Sequence, residues 1–115
     1  MASDRRYLDY IMDQLSGASG VSYRAMMGEF IIYCNGKVIG GIYDDRLLVK
    51  PTASADRMMP DAGREIPYEG AREMILVDNV DDSDFLRRLV VSVAEDLKEQ
   101  MRNDIGNRGK VRKKK

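Results

Sequence analysis

The chain has 115 residues, 43% of them hydrophobic and 33% charged, with 19 basic and 19 acidic side chains, no histidine and one cysteine. This is the make-up of one ordinary globular domain. It excludes general disorder, and no apolar run approaches the roughly 18 residues that cross a bilayer. Cys34 alone forms no internal disulfide, and without histidine there is neither a Ser-His-Asp or Cys-His machine nor a His-containing zinc site.

The first predicted element is a helix. Ser3 can cap it and Asp4 suits the positive end of its dipole, while Leu8, Ile11, Met12 and Leu15 recur at helical spacing and give one apolar face. Gly17 follows the last periodic residue and can end the helix in the left-handed conformation.

Strands are predicted over 22–26, 29–34, 37–43 and 46–50, with Gly28 at a bend or bulge. Asn35-Gly36 between two apolar, β-branched runs is a strong hairpin signal, because a type I′ turn needs positive φ at both central residues. Asp44-Asp45 marks the next turn. Phe30, Ile32 and Cys34 alternate with Ile31 and Tyr33, so both sheet faces carry apolar groups, and the second face must be covered by a helix, a loop or a second subunit. Gly40-Gly41 inside a strand predicts a close approach there, by backbone or by the ring of Tyr33 or Tyr43.

Thr52 can cap a short helix over 53–59, which Pro60 ends. Residues 61–70 read as loop and 73–77 as a short fifth strand. Asp81 or Ser83 then caps a long helix whose stripe is Leu86, Leu89, Val90, Val93, Ala94, Leu97 and Met101. Residues 103–115 lack an apolar period, contain Gly106 and Gly109, and read as mobile. The expected fold is α+β: a two-layer domain over 1–101, with a mostly antiparallel sheet of four to five strands and the N- and C-terminal helices packed on it, followed by a basic, flexible tail over 102–115.

Zero net charge conceals a division. Residues 102–115 hold seven bases against Asp104, and the first 101 residues hold twelve bases against eighteen acids. Such a block reads as a solvated interaction tail on an acidic body.

Three stretches carry a family resemblance. Arg24-Ala25-Met26-Met27-Gly28, Tyr33-Cys34-Asn35-Gly36-Lys37 and Asp45-Arg46-Leu47-Leu48-Val49-Lys50, with Pro67-Tyr68 and Val80-Asp81-Asp82 after them, resemble the N-terminal domain of the TfoX/Sxy competence regulators. The likeness covers about residues 5–100. It implies a compact α+β domain, bacterial and cytoplasmic, linked to regulation of DNA-uptake genes, and it carries over no catalytic residues. The second, helical domain of some members has no counterpart here, so the expectation is a stand-alone N-terminal domain.

The residues that invite chemistry each have a plainer reading. Arg24 can bind an anion or a partner carboxylate, or it can pair with Glu29 or an aspartate. Glu29 can act as a base, or be solvated or paired. Met26-Met27 and Met58-Met59 suit an adaptable binding surface or fill a core. Cys34 can be a reactive thiol, but lacks an activating cation other than Lys37. The run Asp78, Asp81, Asp82, Asp84 lacks the glycine and glutamate of a calcium loop and suits helix capping. No metal, cofactor or catalytic residue is assigned.

The expected function is therefore a non-enzymatic regulatory or adaptor domain in transcriptional regulation. It would act by contact with a protein of the transcription machinery or a regulator through Arg24, Met26, Met27, Gly28 and Glu29, with homodimer formation open and no membrane partner. The alternative is an accessory nucleic-acid binder that uses Arg108, Lys110, Arg112, Lys113, Lys114 and Lys115, since each phosphate neutralised releases counterions and gives weak, sequence-independent affinity. A third reading, a small enzyme or ligand binder built from Arg24, Glu29 and tyrosines near Gly40-Gly41, requires an interior that is not fully packed.

Overall fold

The computed structural model describes residues 3–114, with side chains for residues 3–100. The elements run α1 (Arg5–Gln14), β1 (Val21–Met26), β2 (Glu29–Cys34), β3 (Lys37–Tyr43), β4 (Arg46–Val49), α2 (Ala53–Met58), β5 (Arg64–Glu65), β6 (Met74–Leu76) and α3 (Ser83–Lys114). The strands form one antiparallel sheet of order β1-β2-β3-β4-β6-β5, so the expected α+β architecture is present with six strands. The extra strand is β5, inside the stretch read as loop. Two residues are too few to display a period of two.

Three successive two-residue turns build the meander. Met27-Gly28 has φ of 52° and 85°, Asn35-Gly36 has 53° and 81°, and Asp44-Asp45 has 53° and 56°. Positive φ at both positions is the type I′ requirement, which matches the twist of the flanking strands. Gly28 is therefore not at a bulge: Met26 pairs directly with Glu29 across the turn. The irregularity lies in β3, where Ile32 pairs with Gly40 and Tyr33 with Val38, leaving Ile39 as the extra residue.

One sheet face carries Phe30, Ile32, Cys34, Ile42, Leu47, Val49 and Ile75. These pack with Leu8, Ile11 and Leu15 of α1 and Leu86, Leu89, Val90 and Val93 of α3 into a single core. Helix α2 joins this layer through buried Ala55 and through Asp96 of α3, whose carboxylate accepts the Ser54 N–H at 2.8 Å. Burial pushes the Asp96 pKa up, but hydrogen bonds from Ser54 and Thr52 and the nearby Arg57 outweigh it and hold the carboxyl below its ordinary value.

The helix termini differ from expectation in one consistent way. Asp4, not Ser3, caps α1 and accepts the Arg6 N–H at 2.8 Å, because the Ser3 hydroxyl is engaged with Glu29 and with the Asp45 N–H at 3.0 Å. Asp82, not Asp81 or Ser83, caps α3 by accepting the Phe85 N–H at 3.0 Å, while Asp81 accepts the Tyr10 hydroxyl. Helix α1 ends at Leu15 with φ −92°, and the left-handed glycine is Gly20 rather than Gly17. Thr52 caps α2 as the sequence indicates, accepting from Ala55. The backbone of α3 continues to Lys114, past the end of the apolar stripe. Over 103–114 the backbone is thus helical where the sequence predicts no regular element, and the side chains of its bases, the expected nucleic-acid contacts, lie outside the described residues.

Candidate functional site

Alternation along β1 and β2 sets Arg24, Met26 and Glu29 on the second sheet face, away from α1 and α3, with Met27-Gly28 at the turn between the strands. Met26 is 41% exposed and Met27 97% exposed. Arg24 is exposed and, among the described residues, makes no ion pair. The suggested pairing with Glu29 is absent because Glu29 is engaged elsewhere. It accepts the Ser3 hydroxyl and, at 3.1 Å, the Asp44 N–H, fastening the chain's start and the β3–β4 turn to β2. Nothing in that geometry resembles a poised base.

The remaining candidates fall to their plainer readings. Met58 and Met59 pack against the main core, so the two methionine pairs have different surroundings. Cys34 is fully buried, its Sγ lies 3.9 Å from the Ser19 carbonyl, and burial, with Glu95 nearby, pushes its pKa up. A thiol kept neutral is a poor nucleophile. Of the acidic run, Asp82 caps α3, Asp81 takes the Tyr10 hydroxyl and Asp84 pairs with Arg87. Among the described residues, no group of three His, Cys, Asp or Glu side chains could hold a metal ion.

The second sheet face is only partly covered. Tyr43, Leu48 and Met74 form a small buried cluster with Leu76, and Tyr68, from the segment between β5 and β6, tilts onto Tyr43 with ring centroids 6.1 Å apart. Arg46 and Glu65 form an ion pair on the same side. The glycine pair makes this possible. A Cβ on Gly41 would come within 2.8 Å of the Tyr43 ring and 2.6 Å of the Phe30 carbonyl oxygen, and one on Gly40 within 2.0 Å of the Leu48 carbonyl oxygen.

Beside this cluster is a groove of about 560 Å³, lined by Met26, Ile31, Val38, Tyr43, Met74 and Tyr68 among others. Lys50, at the end of β4, also lines it. That lysine is half-buried, and burial alone pushes its pKa down. Among the described residues it has no carboxylate partner. The Tyr43 pKa is raised by burial first and then by Tyr68 and Glu29, so its hydroxyl stays a neutral donor. The site is thus a largely apolar trough in which Lys50 and the Tyr43 hydroxyl are among the less exposed polar groups, with exposed Arg72, Glu73 and Tyr68 also lining it.

Sequence reasoning found the glycines and Tyr43 but missed Lys50. The available signal was its spacing: Lys50 falls two residues after Leu48, on the same face of the strand.

Residues 13–97 match the family model described as the TfoX N-terminal domain. The chain belongs to that family. A relative from Spirochaeta aurantia, an uncharacterized 12.7 kDa protein in the trpE 5′ region, is 35% identical over 88 residues, covering 70% of each chain. No solved structure matches the chain. The stretch matched to the TfoX N-terminal domain contains the β1–β2 turn, Glu29 and the whole sheet, together with Lys50, Tyr43 and Tyr68 of the groove. Among the described residues of this TfoX-family chain, no helix is long and apolar enough to cross a membrane.

Proposed function

We propose that this chain is a non-enzymatic regulatory or adaptor domain that acts by protein–protein contact in transcriptional regulation, docking through the tip of the β1–β2 hairpin. Membership of the TfoX N-terminal domain family supports a regulatory role. The observation that carries the docking reading is Met27. It is a large apolar side chain, 97% exposed, held at φ +52°, where residues other than glycine, asparagine and aspartate are rare. Neither the turn nor the core requires a methionine there, and flexible thioethers suit adaptable contact surfaces. Met26 and Arg24, exposed behind it on one strand, extend the patch.

Immobilised wild-type protein and the variants Met27→Gly and Arg24→Ala, each challenged with bacterial cytoplasm, test the reading. A component of the transcription apparatus retained by the wild type and lost by both variants, at undiminished thermal stability, is the expected result. Equal retention by all three overturns it.

A further inference from the structure

We propose that the groove on the second sheet face is a binding site for a small carboxylate with an apolar body, the Lys50 ammonium holding its anion. Its volume, about 560 Å³, lies in the range of small-molecule sites, roughly 300–1,000 Å³. Its walls come from three elements rather than one flat surface: Ile31, Val38 and Met74 from the sheet, Tyr68 from the β5–β6 segment and Leu97 from α3. Apolar walls with a few convergent polar groups are how such sites combine affinity with orientation.

The polar groups select the ligand. Lysines are almost never buried without a partner, because a desolvated charge without a counter-ion is costly. Lys50 is half-buried and, among the described residues, has no carboxylate beside it. Tyr43 lines the same groove, and none of its described interactions engages its hydroxyl in a hydrogen bond. The Lys50 ammonium and the Tyr43 hydroxyl can serve the two oxygens of a carboxylate; of the other hydroxyls lining the groove, Thr52 already caps α2 and Tyr68 is exposed. Arg72 and Glu73 also line the groove; both are exposed and of opposite sign, so the surplus charge is that of Lys50. A phosphate dianion seeks several donors or a bidentate guanidinium. With Arg72 offset by Glu73, a net single positive charge among aromatic and aliphatic walls matches a monoanion whose remainder is hydrocarbon. This assignment goes beyond the docking reading and does not depend on it: Met26 borders both the hairpin patch and the groove, but Met27 and Arg24 do not line the groove.

Titration of the full chain with octanoate, followed by amide resonances and calorimetry, tests the proposal, with octanol as the uncharged counterpart. Saturable octanoate binding that shifts Ile31, Val38, Tyr43 and Met74 is expected. Lys50→Met keeps the side-chain stem and removes the charge; it should weaken octanoate by about tenfold or more and leave octanol unchanged, the size expected for a charge-assisted hydrogen bond. Tyr43→Phe should weaken octanoate by a smaller factor. Met27→Gly should leave octanoate binding intact, so failure of the groove and failure of the docking tip are separately visible. The proposal is overturned if no octanoate binds, if the shifts map elsewhere, or if Lys50→Met affects acid and alcohol alike. It is also overturned if a short peptide with a free apolar C-terminus binds far more tightly than octanoate, which would make the groove a chain-end pocket.

Discussion

Replacing Met27 by glycine separates the demands of the backbone from those of the side chain. Met27 sits at φ +52° in the first central position of the β1–β2 turn. A left-handed conformation costs an L-residue roughly 1–2 kcal/mol, which glycine does not incur. Glycine in turn loses about 0.5–1 kcal/mol more chain entropy on folding. At 97% exposure the methionine buries almost nothing, so no packing is lost. The balance is a gain of about 0.5–1 kcal/mol, or a rise in Tm of about 2–4 °C for a domain of this size. Thermal unfolding followed by circular dichroism reads it directly. Met27→Ala is the control: it removes the thioether but keeps Cβ and therefore the strain, so its Tm should barely move. A fall in Tm for Met27→Gly, or an equal rise for Met27→Ala, would show that the turn is not strained as its dihedral angles indicate. The expected pattern, higher stability with lost docking, is the signature of a residue kept for contact rather than for folding.

Leu89 is fully buried in the core shared by α1, α3 and the sheet, so Leu89→Ala should cost about 2–5 kcal/mol, read from the denaturant midpoint at unchanged m-value. Asp96 has a lowered pKa, so its contribution is present above the ordinary carboxylate range and lost as pH falls through and below that range; Asp96→Asn should flatten the decline in Tm between about pH 4 and 2 relative to wild type. Cys34 has a raised pKa, so its neutral thiol favours the folded state until pH rises through the thiol range near about 8.5, above which stability should fall more steeply than in Cys34→Ala. Its reaction with a thiol reagent at neutral pH should be slow in the native protein and fast in denaturant, and rapid native labelling would contradict the burial.

The meander was legible because its signals are local. Asn35-Gly36 and the alternation of Phe30–Cys34 fix turn and face within a dozen residues, and the glycine pair announced the approach that Tyr43 makes. The cap assignments failed where a side chain had a competing partner far away in sequence. Ser3 looks like a cap until Glu29 and Asp45 claim it, and Asp81 until Tyr10 does. The hairpin at Met27-Gly28 was read as a bend because methionine is a poor match to the turn's first position; its occurrence there is what marks the position out. The groove was not legible at all beyond its glycines. It depends on how the segment carrying Tyr68 lies against Tyr43 and on where Lys50 ends up, and no short-range pattern encodes either.

The order of elements has a consequence for biosynthesis. Strands β1 to β4 are joined by the shortest loops a hairpin allows and can zip together as soon as they leave the ribosome. Leu86, Leu89, Val90 and Val93, which close the main core, belong to α3 and are made after the whole sheet. Until they arrive, a nascent chain displays Ile32, Ile42, Leu47 and Val49 beneath α1 alone, a transient greasy surface on which a chaperone could act.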